Sequence, residues 1–399
     1  MLNSPDQRPG VRLDPPRMGP EFRLMAWCAS ASAAQGPREP APVTGDIDWP
    51  LLARLGRRHR ISGLLYAGLK SAGMTPPADV LAQLEAEAKR IAIDELWSAA
   101  ETLRLQRILR EGGIESLVLK GVAVAMLAFG RLGLRFNRDI DLLVRPEDVV
   151  ESMRILGALG YRKSELTDES LEEPSAGWLE LHKDIALEHE SGRGIVELHW
   201  RLFDNPGLLA GSPPAAPVRI AGDGVVQTLG GDVNLIYLCV HGAEHAWSRL
   251  KWLLDIHALA TRLTQEDLVR LYAKAGEMKV HRAVAQALLL CSLLFGLAIP
   301  KVIASSRREL RIRLLEMLAL RSLLASGDRE LAATRFGSTL MNMSHYLLSD
   351  GWSYWKAELA YDVADVSRAP PPPLLRRLGP LGRLMGWAGL HLGSRNPLQ

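Results

Sequence analysis

RDIDLLV, residues 138–144, is the most informative stretch of the chain. Its apolar residues fit a buried strand, and the side chains of a strand alternate between two faces. Asp139 and Asp141 therefore share one face, while Ile140 and Leu142 share the other. Two carboxylates this close repel each other unless a cation lies between them. Mg²⁺ is the natural candidate, because it prefers oxygen ligands and keeps substrate phosphates in its coordination shell. A pair of solvated acids at a strand end is the alternative.

A second strand and a glycine turn precede this acidic pair. SLVLK (116–120) has strand character, and VAVAMLAF (122–129) fits a short helix that follows Gly121. A glycine between a strand and a helix lets the backbone approach a phosphate, and the start of the helix offers free N–H groups. Lys120 is placed to pair with the same phosphates. An ordinary tight turn with an exposed lysine is the alternative.

Three arginines lie between the two strands, at Arg131, Arg135 and Arg138. Guanidinium groups bind phosphate oxygens in pairs, so arginines beside acids suit a triphosphate with its metal. A solvated loop that balances its own charge is the alternative.

A hairpin supplies a third candidate carboxylate. IALEHE (185–190) and GIVELHW (194–200) are separated by a short turn, which predicts two antiparallel strands. Glu197 and His199 share a face of the second strand. Glu197 would complete a Mg²⁺ site, and Glu188 on the first strand is the rival candidate. For His199, a base, a phosphate contact and a structural imidazole all remain open.

The order of these patterns predicts an α+β fold with extensive helix. We expect a long helix that Asp79 caps and Gly112-Gly113 ends. Residues 1–45 hold eight of the 24 prolines, which predicts disorder. The remaining predicted units are an N-terminal helical region at 46–113, an α/β unit at 114–230, a helical domain at 231–368 and a Pro-rich basic tail at 369–399.

Composition limits the class of protein. Lys and Arg number 48 against 45 Asp and Glu, a net charge of +3 that makes no case for a nucleic-acid binder. The three cysteines form neither a disulfide framework nor a CxxC site, which favours a reducing compartment and predicts a cytoplasmic protein. The sequence contains no run of 18 apolar residues, so we expect no transmembrane helix. The oligomeric state stays open.

LVLKG, GLRFNRDIDLLVRPED and VELHWRLF together resemble the nucleotidyltransferase-like superfamily, whose core is that of DNA polymerase β. Within it, the chain is most similar to a bacterial branch of uncharacterised nucleotidyltransferase family proteins, over about residues 46–300. The resemblance implies a small mixed β-sheet core flanked by N-terminal helices and a C-terminal helical bundle. It also implies residue roles: Asp139, Asp141 and Glu197 as catalytic metal ligands, with Lys120, Gly121 and Arg135 at the nucleotide. The residue pattern adds Arg138 to the nucleotide-binding set.

One position departs from the wider superfamily. Lys120-Gly121 stands where the superfamily has Gly-Ser, so the serine that helps to hold the nucleotide phosphates is missing. The resemblance therefore leaves the pose of the nucleotide open.

HGAEHAWSRLKWLLDIHAL (241–259) is similar to a helical segment that follows the core in the same branch. Its two histidines, four residues apart, share a helix face but do not form the H-E-x-x-H pattern of a zinc site. The segment offers a set of candidate substrate or phosphate contacts, with a structural polar network as the alternative. The set comprises His241, His245, Arg249, Lys251 and Asp255.

The activity implied by the resemblance is Mg²⁺-dependent transfer of an NMP group from an NTP, ATP by default, to a hydroxyl. The acceptor is an unidentified small molecule, peptide or protein. Two Mg²⁺ ions are expected, as in other two-metal sites. The alternative is a catalytically inactive nucleotide-binding or scaffold module, and a different phosphotransferase is a third hypothesis. The sequence shows no basic stripe interleaved with aromatic residues, so we expect no specific nucleic-acid partner.

Overall fold

The computed structural model describes residues 18–33, 46–163, 176–209, 211, 213–325 and 337–368. Over these residues the chain forms a central β-sheet with helices packed around it, which confirms the α+β class. The strands are β1 (Leu117–Val118), β2 (Ile140–Leu143), β3 (Tyr161–Lys163), β4 (Asp184–His189), β5 (Ile195–His199), β6 (Ala215–Ala221) and β7 (Gly224–Leu229).

Within the described residues these strands form one seven-stranded sheet in the order β3-β4-β5-β2-β1-β7-β6. β4 runs antiparallel to both of its neighbours, β3 and β5. β5 runs parallel to β2, and β2 runs antiparallel to β1. β7 pairs in parallel with β1 and forms a hairpin with β6. The predicted strand over 139–144 is thus central in the sheet.

The helices lie before, within and after the strands. Those before or within the sheet are α1 (Pro20–Ala33), α2 (Trp49–Arg58), α3 (Ser62–Ser71), α4 (Ala78–Glu111), α5 (Gly121–Phe129), α6 (Val149–Ala158) and α7 (Ala176–Leu181). Those that follow it are α8 (Gly231–Glu244), α9 (Leu250–Ala260), α10 (Gln265–Glu277), α11 (His281–Phe295), α12 (Lys301–Ser305), α13 (Leu310–Leu323), α14 (Gly337–Leu348) and α15 (Trp352–Arg368). No helix in these described ranges is both long enough and apolar enough to cross a bilayer.

Two large apolar clusters, and a third small one around Leu289, hold the fold together. One lies against the sheet and joins Ile140, Leu142 and Val196 to Leu105 of α4. The other joins helices from both ends of the chain, with Leu52 of α2 and Leu288 of α11 as members. The predicted N-terminal helical region therefore shares a core with the C-terminal helices.

The prediction of disorder over 1–45 is wrong for residues 20–33, which form α1. Leu24, Met25 and Cys28 on this helix are completely buried. At Gly68 of α3, an added Cβ would lie 2.2 Å from the carbonyl oxygen of Cys28, so glycine is what allows the two helices to touch. The proline content of the segment predicted disorder, but the helix is stabilised by residues distant in sequence that cover its apolar side chains. Residues 1–17 and 34–45 and the predicted tail at 369–399 lie outside the described residues.

Two further elements differ from the sequence predictions. The long helix α4 begins at Ala78 after Pro77, so Asp79 lies in its first turn and does not cap it; Gly112 ends it as predicted. The β6–β7 hairpin was not predicted. Its strands extend the sheet beyond β1. Its buried side chains Val218 and Val226 pack into the apolar cluster that lies against the sheet.

Candidate active site

A cavity of about 720 Å³ lies between the sheet and the C-terminal helices. Residues of β2, β4 and β5 line one side of it. The ends of α8 and α9, together with α14 and α15, line the other. The cavity thus brings the predicted acidic residues together with helices from the far end of the described chain.

An acidic centre, formed by Asp141 and Glu197, lies in the cavity. Asp141 on β2 and Glu197 on β5 are direct neighbours in the parallel register. Because side chains on adjacent strands at the same register position point to the same face, the two carboxylates lie side by side. His199 joins them, and one ligand atom from each of the three lies within 4.8 Å of the others.

The rival carboxylate lies elsewhere. Glu188 on β4 pairs with Ile195, not with Glu197, and its side chain is exposed outside the cavity. The pairing register therefore places Glu197, and not Glu188, beside Asp141.

Lys120 reaches this centre from the turn before α5. Its Nζ lies 2.7 Å from Oδ1 of Asp141. Gly121 has φ of +58°, a left-handed conformation that glycine adopts without strain, and this turn directs the lysine toward β2. Burial alone would raise the pKa of Asp141, but the Lys120 ammonium and the His199 ring hold that pKa well below its usual range.

His199 is surrounded by three carboxylates. Its Nε2 lies 3.3 Å from Oδ1 of Asp141 and 3.5 Å from Oε2 of Glu197. Its Nδ1 lies 3.5 Å from Oδ2 of Asp184. Burial would lower the pKa of His199, but these carboxylates outweigh it and raise the pKa to about 9. The ring is therefore cationic at neutral pH and acts as a proton donor to its neighbours.

Asp139 lines the same cavity without joining the compact group of Asp141, Glu197 and His199. Burial, together with the negative charges of Asp141 and Glu197, raises the pKa of Asp139 to about 6. Asp139 thus holds its proton more firmly than Asp141 does.

Sequence reasoning missed a second charged group beside His199. Nζ of Lys183 lies 3.0 Å from Oδ2 of Asp184 and 3.3 Å from Oδ2 of Asp204, and all three residues line the cavity. A signal for one of them existed: extending the predicted hairpin by one residue places Asp184 directly opposite His199. Asp204 follows the last strand of that hairpin and carried no such signal.

Arg135 and Arg138, equivalent in the sequence pattern, have different surroundings. The guanidinium of Arg135 donates to both carboxylate oxygens of Asp255 on α9, at 3.0 to 3.2 Å. Its backbone N–H donates to Glu95 at 3.2 Å, which ties the loop to α4. Arg135 lines the cavity, whereas Arg138 is exposed outside it. Asp255 itself does not line the cavity and holds Arg135 in place.

The candidate residues of the helical segment lie on the opposite wall of the cavity. The rings of His241 and His245 are in edge contact, 4.7 Å between centroids, and His245 stacks on Trp252. Nη1 of Arg249 donates to the backbone oxygen of Arg58 at 2.8 Å.

Lys251 lies beside the loop that carries Arg135. Its Nζ donates to the carbonyl oxygen of Phe136 at 3.3 Å. Burial, together with the positive charges of Arg135 and Arg60, lowers the pKa of Lys251 to about 7.

The acidic centre fits a divalent metal ion. Asp141 is 1% exposed, and its Oδ2 has no hydrogen-bond partner among the described residues. A buried carboxylate oxygen without a partner is costly, so a bound cation would stabilise it. The nearby ligands are the carboxylate oxygens of Asp141 and Glu197, which suit a small, hard ion, whereas the protonated ring of His199 has no lone pair to offer a metal.

Comparison with known proteins agrees with this geometry. The profile of a family described as uncharacterised nucleotidyltransferase matches residues 45–296, more than half of the chain. The match includes the sheet, the turn at Lys120 and the helix that carries Lys251, but not α14 or α15. No curated protein matches the chain. The chain therefore belongs to the uncharacterised nucleotidyltransferase family.

Proposed function

We propose that the protein is a Mg²⁺-dependent nucleotidyltransferase that moves the NMP group of an NTP, ATP by default, to the hydroxyl of an acceptor. Membership of the family supports nucleotidyl transfer in general. The observation that carries the proposal is the register pair of Asp141 and Glu197 in a cavity, with Lys120 beside it and Oδ2 of Asp141 without a partner.

The acidic residues would hold the metal and the basic residues the phosphates. Asp141 and Glu197, with Asp139, would bind Mg²⁺, which when bound neutralises and orients phosphate oxygens. Lys120 and the N–H groups at the start of α5 would contact the triphosphate. Glu197, whose side chain is 31% exposed against 1% for Asp141, is the carboxylate better placed to accept the proton of the acceptor hydroxyl.

We place the acceptor against the wall formed by α8, α14 and α15. The cavity volume, about 720 Å³, is typical of small-molecule sites, so we favour a small acceptor. The carboxylates of Glu358 and Asp362 give this wall negative charge, and Glu244 lines it as well. Burial and the charges of Asp204 and Glu358 raise the pKa of Glu244 well above its ordinary value, although Lys183 opposes them. Further negative charge is unfavourable here, so neutral or cationic acceptors should react better than anionic ones.

The test is release of pyrophosphate from each of the four NTPs, with Mg²⁺, purified full-length protein and a small-molecule fraction of a lysate. Loss of residues that merely support a metal ligand costs about 10–100-fold, so Asp141→Asn should lose more than about 100-fold. Glu188→Gln is the matched control, because it alters a carboxylate outside the cavity and should leave the rate unchanged. Equal rates for Asp141→Asn and the wild type would refute the proposal.

A catalytically inactive nucleotide-binding module is the second candidate. The observation that favours it is the ion pair of Lys120 with Asp141, which already occupies one oxygen of the central carboxylate. Thermal stabilisation by an NTP without any release of pyrophosphate would favour this candidate over the enzyme.

A further inference from the structure

The two carboxylate oxygens of Asp141 have unlike surroundings. Oδ1 lies 2.7 Å from Nζ of Lys120 and 3.3 Å from Nε2 of His199. Oδ2 has no hydrogen-bond partner among the described residues, although the side chain is almost completely buried. One oxygen is thus fully engaged with cations of the protein, and the other is available.

This asymmetry bears on how many metal ions the site can take. In a two-metal site the ions lie about 3.5–4 Å apart. A carboxylate shared by both ions gives one oxygen to each of them. At Asp141 an ammonium group already holds one of these oxygens. A divalent ion on the same oxygen would lie within a few ångströms of that ammonium, and repulsion between like charges is strong where little water screens it.

We propose that the Lys120 ammonium takes the place of one of the two metal ions, so that the site binds a single divalent ion through Oδ2 of Asp141. The inference rests on the proposed function for the identity of the ion. It also replaces the two-ion arrangement that the family resemblance implies, and it gives the Lys120-Gly121 turn a role that a Gly-Ser turn cannot have.

The surroundings of Lys120 keep it in this position. The turn at Gly121 fixes the backbone from which the side chain extends, and only 14% of that side chain is exposed. Two other cations that line the cavity, Lys183 and Arg135, are held by carboxylates other than Asp141. Lys183 pairs with Asp184 and Asp204.

The number of bound ions can be counted with Mn²⁺, using electron paramagnetic resonance on the full-length protein. Titrations are run with and without α,β-methylene-ATP. The wild type should bind one Mn²⁺ per chain in both titrations and should show the six-line spectrum of an isolated ion. Lys120→Ala frees Oδ1 and should bind two, with the spectrum of a coupled pair. Lys120→Arg keeps the positive charge and is the matched control, which should bind one.

Two coupled ions in the wild type, or none, would overturn the inference. So would a single ion in Lys120→Ala when its circular dichroism matches the wild type. If Lys120→Ala does not fold, the wild-type count still decides. Failure of the proposed function is distinguishable: one bound ion without turnover of any NTP refutes the activity alone, and two bound ions with turnover refute the ion count alone.

Discussion

Replacing Asp255 by asparagine should lower the free energy of unfolding by about 3 kcal/mol. Arg135 and Asp255 are 3% and 1% exposed, and three contacts of 3.0 to 3.2 Å join them. The change removes the counter-ion and leaves the guanidinium buried.

The magnitude follows from what remains around Arg135. Breaking a buried ion pair by removal of one partner costs about 3–5 kcal/mol. The negative charge of Glu95 lies close enough to favour the guanidinium, and Asn137 accepts a hydrogen bond from Nη1. The asparagine also keeps one carbonyl oxygen. These compensations place the expected cost at the lower end of that range.

Urea unfolding followed by tryptophan fluorescence and far-UV circular dichroism measures this cost. Asp232→Asn is the matched control. Its carboxylate lies 3.6 Å from Nζ of Lys274, with side chains 50% and 41% exposed, so its loss should cost less than about 1 kcal/mol. If Asp255→Asn costs no more than Asp232→Asn, the reasoning that the Arg135 pair secures the loop before β2 is wrong.

Three further predictions concern packing and protonation. Gly68→Ala should destabilise the protein by about 1–3 kcal/mol, because its Cβ would lie 2.2 Å from the Cys28 carbonyl oxygen; Gly276→Ala, with nothing within 4 Å, should not, and urea unfolding compares them. Burial lowers the pKa of His257 to about 4, so the unfolded chain binds the proton more readily, and about 3 kcal/mol of stability should be lost as pH falls from 6.5 to 4. His257→Leu should weaken this pH dependence when urea unfolding of the variant and the wild type is measured between pH 4 and 6.5. An unchanged dependence of the unfolding free energy on pH would contradict the prediction. Lys251, whose pKa burial lowers to about 7, should lose its charge as pH rises from 6 to 8. Binding of a fluorescent ATP analogue without metal should weaken over that range, and Lys251→Met should remove this contribution.

The local patterns of the sequence were sufficient for the parts of the site that lie within single elements. Alternation along a strand placed Asp139 and Asp141 on one face. The hairpin pattern placed Glu197 and His199 in the same way, and the glycine after Lys120 indicated the strand-to-helix turn. These predictions succeeded because a strand or a turn is governed by residues close to it in the chain.

Composition was a poor guide where distant contacts dominate. The proline-rich N-terminal segment includes α1, which is ordered because α3 approaches closely at Gly68 and covers its apolar side chains. The residue pattern by itself did not separate Arg135 from Arg138. Only Arg135 meets a carboxylate of α9, 120 positions further along the chain.

Local periodicity and residue type were enough to predict the pair Asp139 and Asp141, the turn at Lys120 and the α+β class. Three features of the site became visible only in the folded chain: Asp141 lies beside Glu197 and not Glu188, Lys120 pairs with Oδ1 of Asp141, and α14 and α15 close the cavity. Strand register and helix packing depend on which distant surfaces bury each other, and no local pattern in the chain encodes that choice.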